Sequence, residues 1–387
     1  MQELSLSEKL ALSKGRPTGF DYLRLGLSIS VVCMHSAITS KGLEADIALW
    51  MSPLRPLIRM TLPMFFALSG FLVAGSLFRS KSLLQFLGLR VIRIYPALII
   101  EVVLSALLLG PLLTTVPLAS YFESPVFGLY LMNVTGDIHY FLPGVFENNP
   151  YPNVVNAQLW TVPVELGCYI SLSALTIVGV KKRFWIAPAV TLIMMLGYFL
   201  ARLIKFHGQL PFIVGGIPGF LLVVCFVCGV SLYVYRDLLP WSRSLCAISG
   251  IASLLLVGVV PYGEYIVVPV ASYFTVCLGA TNVRKLSILK GADYSYGIFL
   301  YGFVIQQTVV FLFPWAREWW VNILLCVPLA AAVSALSWHL IEKPTLKLRR
   351  YLKPRSAQQP NIVAAGPRLV EVASPELESG VVPIHMR

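Results

Sequence analysis

The chain has 387 residues, of which 57% are hydrophobic and 12% aromatic, while only 12% carry a formal charge. With a mean hydropathy of +0.77 it is far more apolar than a soluble domain, in which roughly a quarter of residues are charged. That composition excludes a soluble enzyme, a secreted scaffold and a disordered chain, and leaves a membrane protein. Thirty Lys and Arg against 18 Asp and Glu give a net charge of +12. Because these basic residues sit mainly in short segments between apolar runs, they read as orientation signals and not as a nucleic-acid surface.

Residues 1–19 are mixed and polar, and the first apolar run ends without a small-residue cleavage site, so no removable signal is expected. A helix needs about 20 mostly apolar residues to cross the hydrocarbon core. By that rule ten spans are predicted, near 20–39, 57–78, 94–114, 158–180, 184–204, 214–235, 244–261, 265–281, 294–314 and 319–341. Backbone satisfaction in lipid makes the fold class all-α, a polytopic membrane helical bundle. With the N-terminus inside, the inner segments and the start of the tail hold 21 Lys and Arg, against five outside: Lys41, Arg55, Arg202, Lys205 and Arg317. Both termini are therefore expected in the cytoplasm, which an even number of spans also requires. The expected division is a transmembrane domain over 1–345 and a polar, flexible tail over 346–387.

The longest connection, 115–157, has no Lys or Arg, carries Glu123, Asp137, His139 and Glu147, and is dense in aromatics, Pro and Asn. It is expected outside, either as a lid or acceptor-binding surface or as a plain connector. Seven cysteines show no regular spacing. Cys225 and Cys228 have CxxC spacing without a second pair, so no metal is expected and the cysteines read as small apolar residues.

Ionisable side chains inside the spans are the candidate chemistry, since a charged group in lipid is costly. The first span holds Asp21, Arg24 and His35. Eleven residues at 100° each return Arg24 and His35 to within about 20° of one face, about 16 Å apart along the axis. Asp21 lies close to that face. The pattern predicts an arginine at the inner mouth and a neutral imidazole deep in one shared groove. Such an imidazole is suited to accept a hydroxyl proton, the alternative being a histidine bonded between helices for packing. In the second span Ser69 and Gly70 permit close helix approach. Arg90 and Arg93 sit one turn apart at the inner start of the third span, with Pro96 a candidate opening in the backbone. Two guanidiniums there suit phosphate, or equally anchor the helix to lipid headgroups. Glu101, deep in that span, requires a partner. The fourth span places Trp160 at the interface and Glu165 about two turns in, where it could orient an imidazolium, bind a hydroxyl or pair with an Arg.

Taken in order, FDYLRLGLSISVVCMH at 20–35, MFFALSGFLVAG at 64–75, RVIR at 90–93 followed by Tyr95 and Pro96, LWTVPVE at 159–165, DYSYGIFLYGFVIQQ at 293–307 and LIEKP at 340–344 resemble the membrane acyltransferase 3 family. That family consists of integral membrane enzymes that acylate sugars and other hydroxyl compounds. The resemblance implies that His35 is the catalytic base, supported by Arg24 and an acidic position at Glu165, and that Arg90, Arg93 and Tyr95 contact an acyl-CoA donor at the inner face. It leaves Asp21, Ser69, Trp160, Glu101 and Tyr296 as site-supporting residues. No bound cofactor is implied, acyl-CoA (acetyl-CoA first) being a donor substrate and a carbohydrate, glycolipid or glycosylated small molecule the acceptor, in a bacterial inner membrane.

Two departures matter. Many members have a histidine shortly after the Ser-Tyr motif, where this chain has Tyr301 and Gly302. The chain is also too short for the esterase-like domain that some relatives append. Direct transfer is expected, because no Ser or Cys is coupled to His35 in sequence, although Ser69 could approach it in the fold. The other function class to weigh is a multi-pass transporter or flippase of a glycan or lipid-linked sugar, against which the sequence shows no paired inverted halves with interrupted helices.

Overall fold

The computed structural model describes residues 4–352 except 16, 209–215, 261 and 290. A helix lies on each of the ten predicted spans: α1 (Thr18–Lys41), α2 (Arg55–Arg79), α3 (Leu83–Leu104), α4 (Thr161–Val178), α5 (Ile186–Lys205), α6 (Gly219–Val234), α7 (Arg243–Gly258), α8 (Val268–Gly279), α9 (Ser295–Leu312) and α10 (Trp319–Ser337). Seven are long and apolar enough to cross a membrane: α1, α2, α3 continued to Leu113, α4 with a lead-in from Ala157, α5, α9, and α10 continued to Leu352. At 16, 16 and 12 residues, α6, α7 and α8 fall short of a straight crossing. The chain is thus a multi-pass helical membrane protein.

Two helices are buried along most of their length, α2 and α9, and α1 packs against both of them as well as against α8 and α10. The tightest crossing is between α2 and α6. A Cβ at Gly70 would lie 2.0 Å from the Phe226 carbonyl oxygen, and one at Gly229 would lie 2.1 Å from that of Ala67. Only hydrogen side chains let the two backbones approach this closely. Gly70 therefore does what small residues do in membrane bundles.

The third helix departs from expectation twice. It begins at Leu83, where Ser82 Oγ caps the Gln85 N–H at 3.1 Å, so Arg90 and Arg93 lie two to three turns inside it and not at its start. Pro96 does not open it: Leu83–Leu104 is continuous, and Tyr296 of α9 donates to the Ile94 carbonyl beside the proline at 3.1 Å. The irregular stretch comes later, as a π-helical turn at Ser105–Leu109.

Cross-links define two ends of the bundle. At one end a two-residue antiparallel pair joins Leu4–Ser5 to Pro240–Trp241, Lys181 donates to the Ser80 carbonyl at 3.3 Å, and Leu352 packs against Gly88. This is the end rich in Lys and Arg. At the opposite end Lys41 pairs with Glu318 at 2.5 Å, and Arg55 with Glu264. The long connection lies there too. It contains the short helices Leu118–Glu123 and Pro125–Leu131 and is sewn into the bundle: Asn149 Nδ2 donates to the Gln307 carbonyl at 3.0 Å, and Gln307 Nε2 donates to the carbonyls of Tyr151 and Val154 at 2.8 and 2.7 Å. The segment Leu346–Leu352 is a 3₁₀ helix, so ordered chain continues past the expected domain end at 345. Residues 353–387, the rest of the expected tail, lie outside the described residues.

Candidate active site

Four of the six motifs meet in one ionic knot at the basic end. Arg24 Nη1 and Arg93 Nη2 each lie 2.7 Å from the same oxygen of Asp293, and Arg93 Nη1 lies 2.8 Å from Glu342 Oε2. The knot joins α1, α3, the residue pair just before α9 and the π-helical turn that follows α10. Ser295, at the start of α9, donates its hydroxyl to Asp293 Oδ1 at 2.6 Å. Burial by itself would push the Asp293 carboxyl up. The two guanidiniums and the Ser295 bonds outweigh it and hold the group well below the usual carboxylate range.

Beside the knot is a cavity of about 310 Å³. Arg24, Arg90, Arg93 and Arg349 line it against the carboxylates of Asp293 and Glu165, with the hydroxyls of Ser69 and Thr161 in a wall that is otherwise apolar or aromatic. The two arginines of RVIR are not equivalent. Arg93 has both terminal nitrogens committed to Asp293 and Glu342 and its guanidinium over the Tyr296 ring, 5.3 Å from the centroid. Arg90 donates one Nη to Ser76 Oγ at 3.0 Å, and its Nε is buried with no hydrogen-bond partner among the described residues. A buried donor without an acceptor is costly, and an anion in the cavity would satisfy it. Glu165 accepts a 2.5 Å bond from Tyr169, one turn along α4.

His35 is elsewhere. It lines a second cavity of about 260 Å³ toward the opposite end, together with Trp50, Tyr151, Gln158, Trp160 and Phe303. The single groove expected from the α1 face is therefore two cavities. Arg24 opens on the first and His35 on the second, with Leu62, Thr161 and Phe299 belonging to both. The ring packs edge-on against Phe303 at 5.2 Å between centroids. Gln158 Nε2 stands 3.1 Å from His35 Nδ1, while Gln158 Oε1 is buried without a partner among the described residues. In this orientation the amide donates to Nδ1 and the ring proton belongs on Nε2. A half-turn of the amide lets its oxygen accept from Nδ1–H and frees Nε2 as a base.

The other expected residues divide cleanly. Ser69 and Tyr296 line the first cavity, and Trp160 lines the second. Ser69 thus faces a different cavity from His35. Asp21, Tyr95 and Glu101 line neither. Asp21 pairs with Lys285 near the surface, and Tyr95 packs against the hydrophobic core. Glu101 finds its partners in Asn156 Nδ2 at 2.8 Å and Ser105 Oγ at 3.0 Å. Since Asn156 also donates to the Leu300 carbonyl at 2.9 Å and caps the Gln158 N–H at 3.2 Å, the buried carboxylate anchors the strand of chain that presents Gln158 to His35.

Sequence reasoning missed Asp293, Glu342, Gln158 and Arg349. The first two stood inside quoted motifs, and the unexplained positive charge of Arg24 and Arg93 was the available signal for them. Gln158 immediately precedes LWTVPVE but looks like any polar loop residue until the loop is folded back against α1.

An acyltransferase domain family matches this chain over residues 18–339. The chain belongs to that family. Curated relatives agree. Nodulation protein 10 of Rhizobium leguminosarum bv. viciae is 28% identical over 369 residues, covering 89% of this chain and 97% of its own length. An O-acetyl transferase of Shigella phage Sf6 is 26% identical over 290 residues, covering 72% of this chain and 82% of its own length. No solved structure matches. In this acyltransferase all six motifs therefore have a physical location. MFFALSGFLVAG and LWTVPVE supply Phe65, Ser69 and Glu165 to the first cavity, and FDYLR, RVIR, DYSYG and LIEKP build the knot that borders it.

Proposed function

We propose that this acyltransferase moves a short acyl group, acetyl first, from cytoplasmic acyl-CoA to a hydroxyl of a carbohydrate, glycolipid or glycosylated small molecule, with His35 as the general base. The chain takes ten crossings of a bacterial inner membrane with both termini in the cytoplasm, α6 to α8 crossing as a short, tilted or locally thinned group. The observation that carries the reading is the pair of adjoining cavities, one lined by four arginines at the basic end and the other by the half-buried imidazole of His35.

Phosphates of the donor are held at the first cavity, with Arg90 the main contact because its Nε has no other partner among the described residues. Arg93 and Arg24 keep the cavity wall in place through Asp293 and Glu342. The acceptor hydroxyl enters from the loop end, where the aromatic side chains Trp50, Tyr151 and Trp160 suit a sugar face. With the Gln158 amide oxygen on Nδ1–H, Nε2 takes the hydroxyl proton as the oxygen attacks the thioester carbonyl. The C–S bond breaks, and the departing thiolate recovers the proton from the imidazolium. Exclusion of water from both cavities strengthens each of these contacts.

The test is transfer of label from acetyl-labelled acetyl-CoA to membrane-extracted glycans by the protein in proteoliposomes, with uptake measured alongside. Labelled ester and free CoA in equal amounts support the reading. Glycan movement across the membrane without acetyl-CoA consumption overturns it in favour of transport.

A further inference from the structure

The two cavities share three lining residues, Leu62, Thr161 and Phe299, which form a wall common to both. Leu62 comes from the outer half of α2, Phe299 from the second turn of α9 and Thr161 from the first residue of α4, and these residues line both cavities. Each is braced from its own side. Thr161 Oγ1 donates to the Gln158 carbonyl at 3.1 Å, the same residue whose amide meets His35. Phe299 lies 5.9 Å, ring centroid to centroid, from Phe65, which lines the first cavity. One turn further along α9 is Phe303, on which His35 rests. Leu62 is buried within the main core.

We infer that Leu62 and Phe299, with Thr161, form an acyl-chain filter that sets how long an acyl group this enzyme accepts. The inference rests on the donor and base assignments proposed above. If the thioester is held at the arginine cavity and the base lies beyond the wall, the acyl carbon has to pass between Leu62 and Phe299. A rotamer change of Phe299 about χ1 opens a gap of side-chain size, while the fixed backbones of α2 and α9, each buried along most of its length, prevent a wider one. An acetyl group fits such a gap and each added methylene has to displace packed atoms, which is how hydrophobic pockets discriminate by roughly 10-fold or more per methylene. The filter residues do not touch the charged end of the donor, so they act on turnover of long chains and not on CoA binding.

The experiment measures CoA release from acetyl-, butyryl- and hexanoyl-CoA by the full chain in detergent, together with binding of each donor. Wild type is compared with Phe299→Ala, Phe299→Leu and Leu62→Ala, and with Val309→Ala, which lies in a separate apolar cluster with Ala316 and Cys326 and lines neither cavity. The expected result is a rise of about 10-fold or more in the hexanoyl-to-acetyl ratio of kcat/KM in the Phe299 and Leu62 variants, with donor binding unchanged and the Val309→Ala ratio equal to wild type. Phe299→Leu keeps the test alive if the alanine variant does not fold. An unchanged ratio in active Phe299 and Leu62 variants overturns the filter while leaving the acyltransferase reading standing. Failure of wild type to bind or turn over any of the three donors overturns the donor assignment, and the filter with it.

Discussion

Replacing Arg93 with Ala removes the one cation shared by Asp293 and Glu342. Asp293 keeps Arg24 at 2.7 Å, but Glu342, whose side chain is only 3% exposed, has no other salt-bridge partner among the described residues. Breaking a buried pair from one side costs about 3–5 kcal/mol, because the remaining charge stays buried and uncompensated. For 387 residues the usual unfolding entropy per residue converts this into a fall in Tm of at least about 4 °C. Replacing both partners, as in Arg93→Met with Glu342→Leu, leaves no orphan charge, so most of that loss should return while activity stays low because the cavity wall has lost its anchor. The assay is thermal unfolding of detergent-purified wild type, both single variants and the double variant, with acetyl-CoA turnover measured on the same samples. A single variant as stable as wild type, or a double variant as unstable as the sum of the singles, refutes the reasoning that the knot is a mutually compensating unit.

Three further outcomes follow from the geometry. Arg90→Ala should weaken acetyl-CoA binding about 10- to 100-fold, the range of one lost hydrogen bond to a charged group, and leave acetylpantetheine, which lacks the nucleotide phosphates, nearly unaffected in a titration of both ligands. Gln158→Ala should lower kcat about 10- to 100-fold, a part of what general-base catalysis supplies, with donor binding unchanged, since it releases the imidazole tautomer without touching the first cavity; equal kcat in the variant would remove Gln158 from the proton path. Gly229→Leu should destabilise by about 3 kcal/mol or more, beyond ordinary overpacking, because its Cβ alone would lie 2.1 Å from the Ala67 carbonyl; a variant with unchanged Tm would contradict the α2–α6 contact.

Hydropathy was enough to place the ten long helices, because a run of apolar residues in lipid has helix as its only open option. It was not enough to fix lengths. The third helix starts eleven residues before the predicted span, at Leu83, because Arg90 and Arg93 break the apolar run in sequence, yet in space Arg93 is paired with Asp293 and Glu342 and Arg90 donates to Ser76. The same compensation hid half of the site. Periodicity within α1 correctly put Arg24 and His35 on inward-facing positions, but a helical face says nothing about Leu62, Thr161 and Phe299, which reach between them from three other helices. The role of the long connection was legible only as an excess of aromatics. Its use as the support of Gln158 depends on a pairing, Glu101 with Asn156, between residues 55 positions apart.

The central claim is that the imidazole of His35, and not the arginine cavity, performs the transfer. It is tested most directly by measuring acetyl-CoA binding and CoA release in wild type and His35→Ala, both shown to unfold at the same temperature. The account predicts equal binding and a loss of turnover of at least about 10²-fold in the variant. Turnover at the wild-type rate in a folded His35→Ala protein would contradict it.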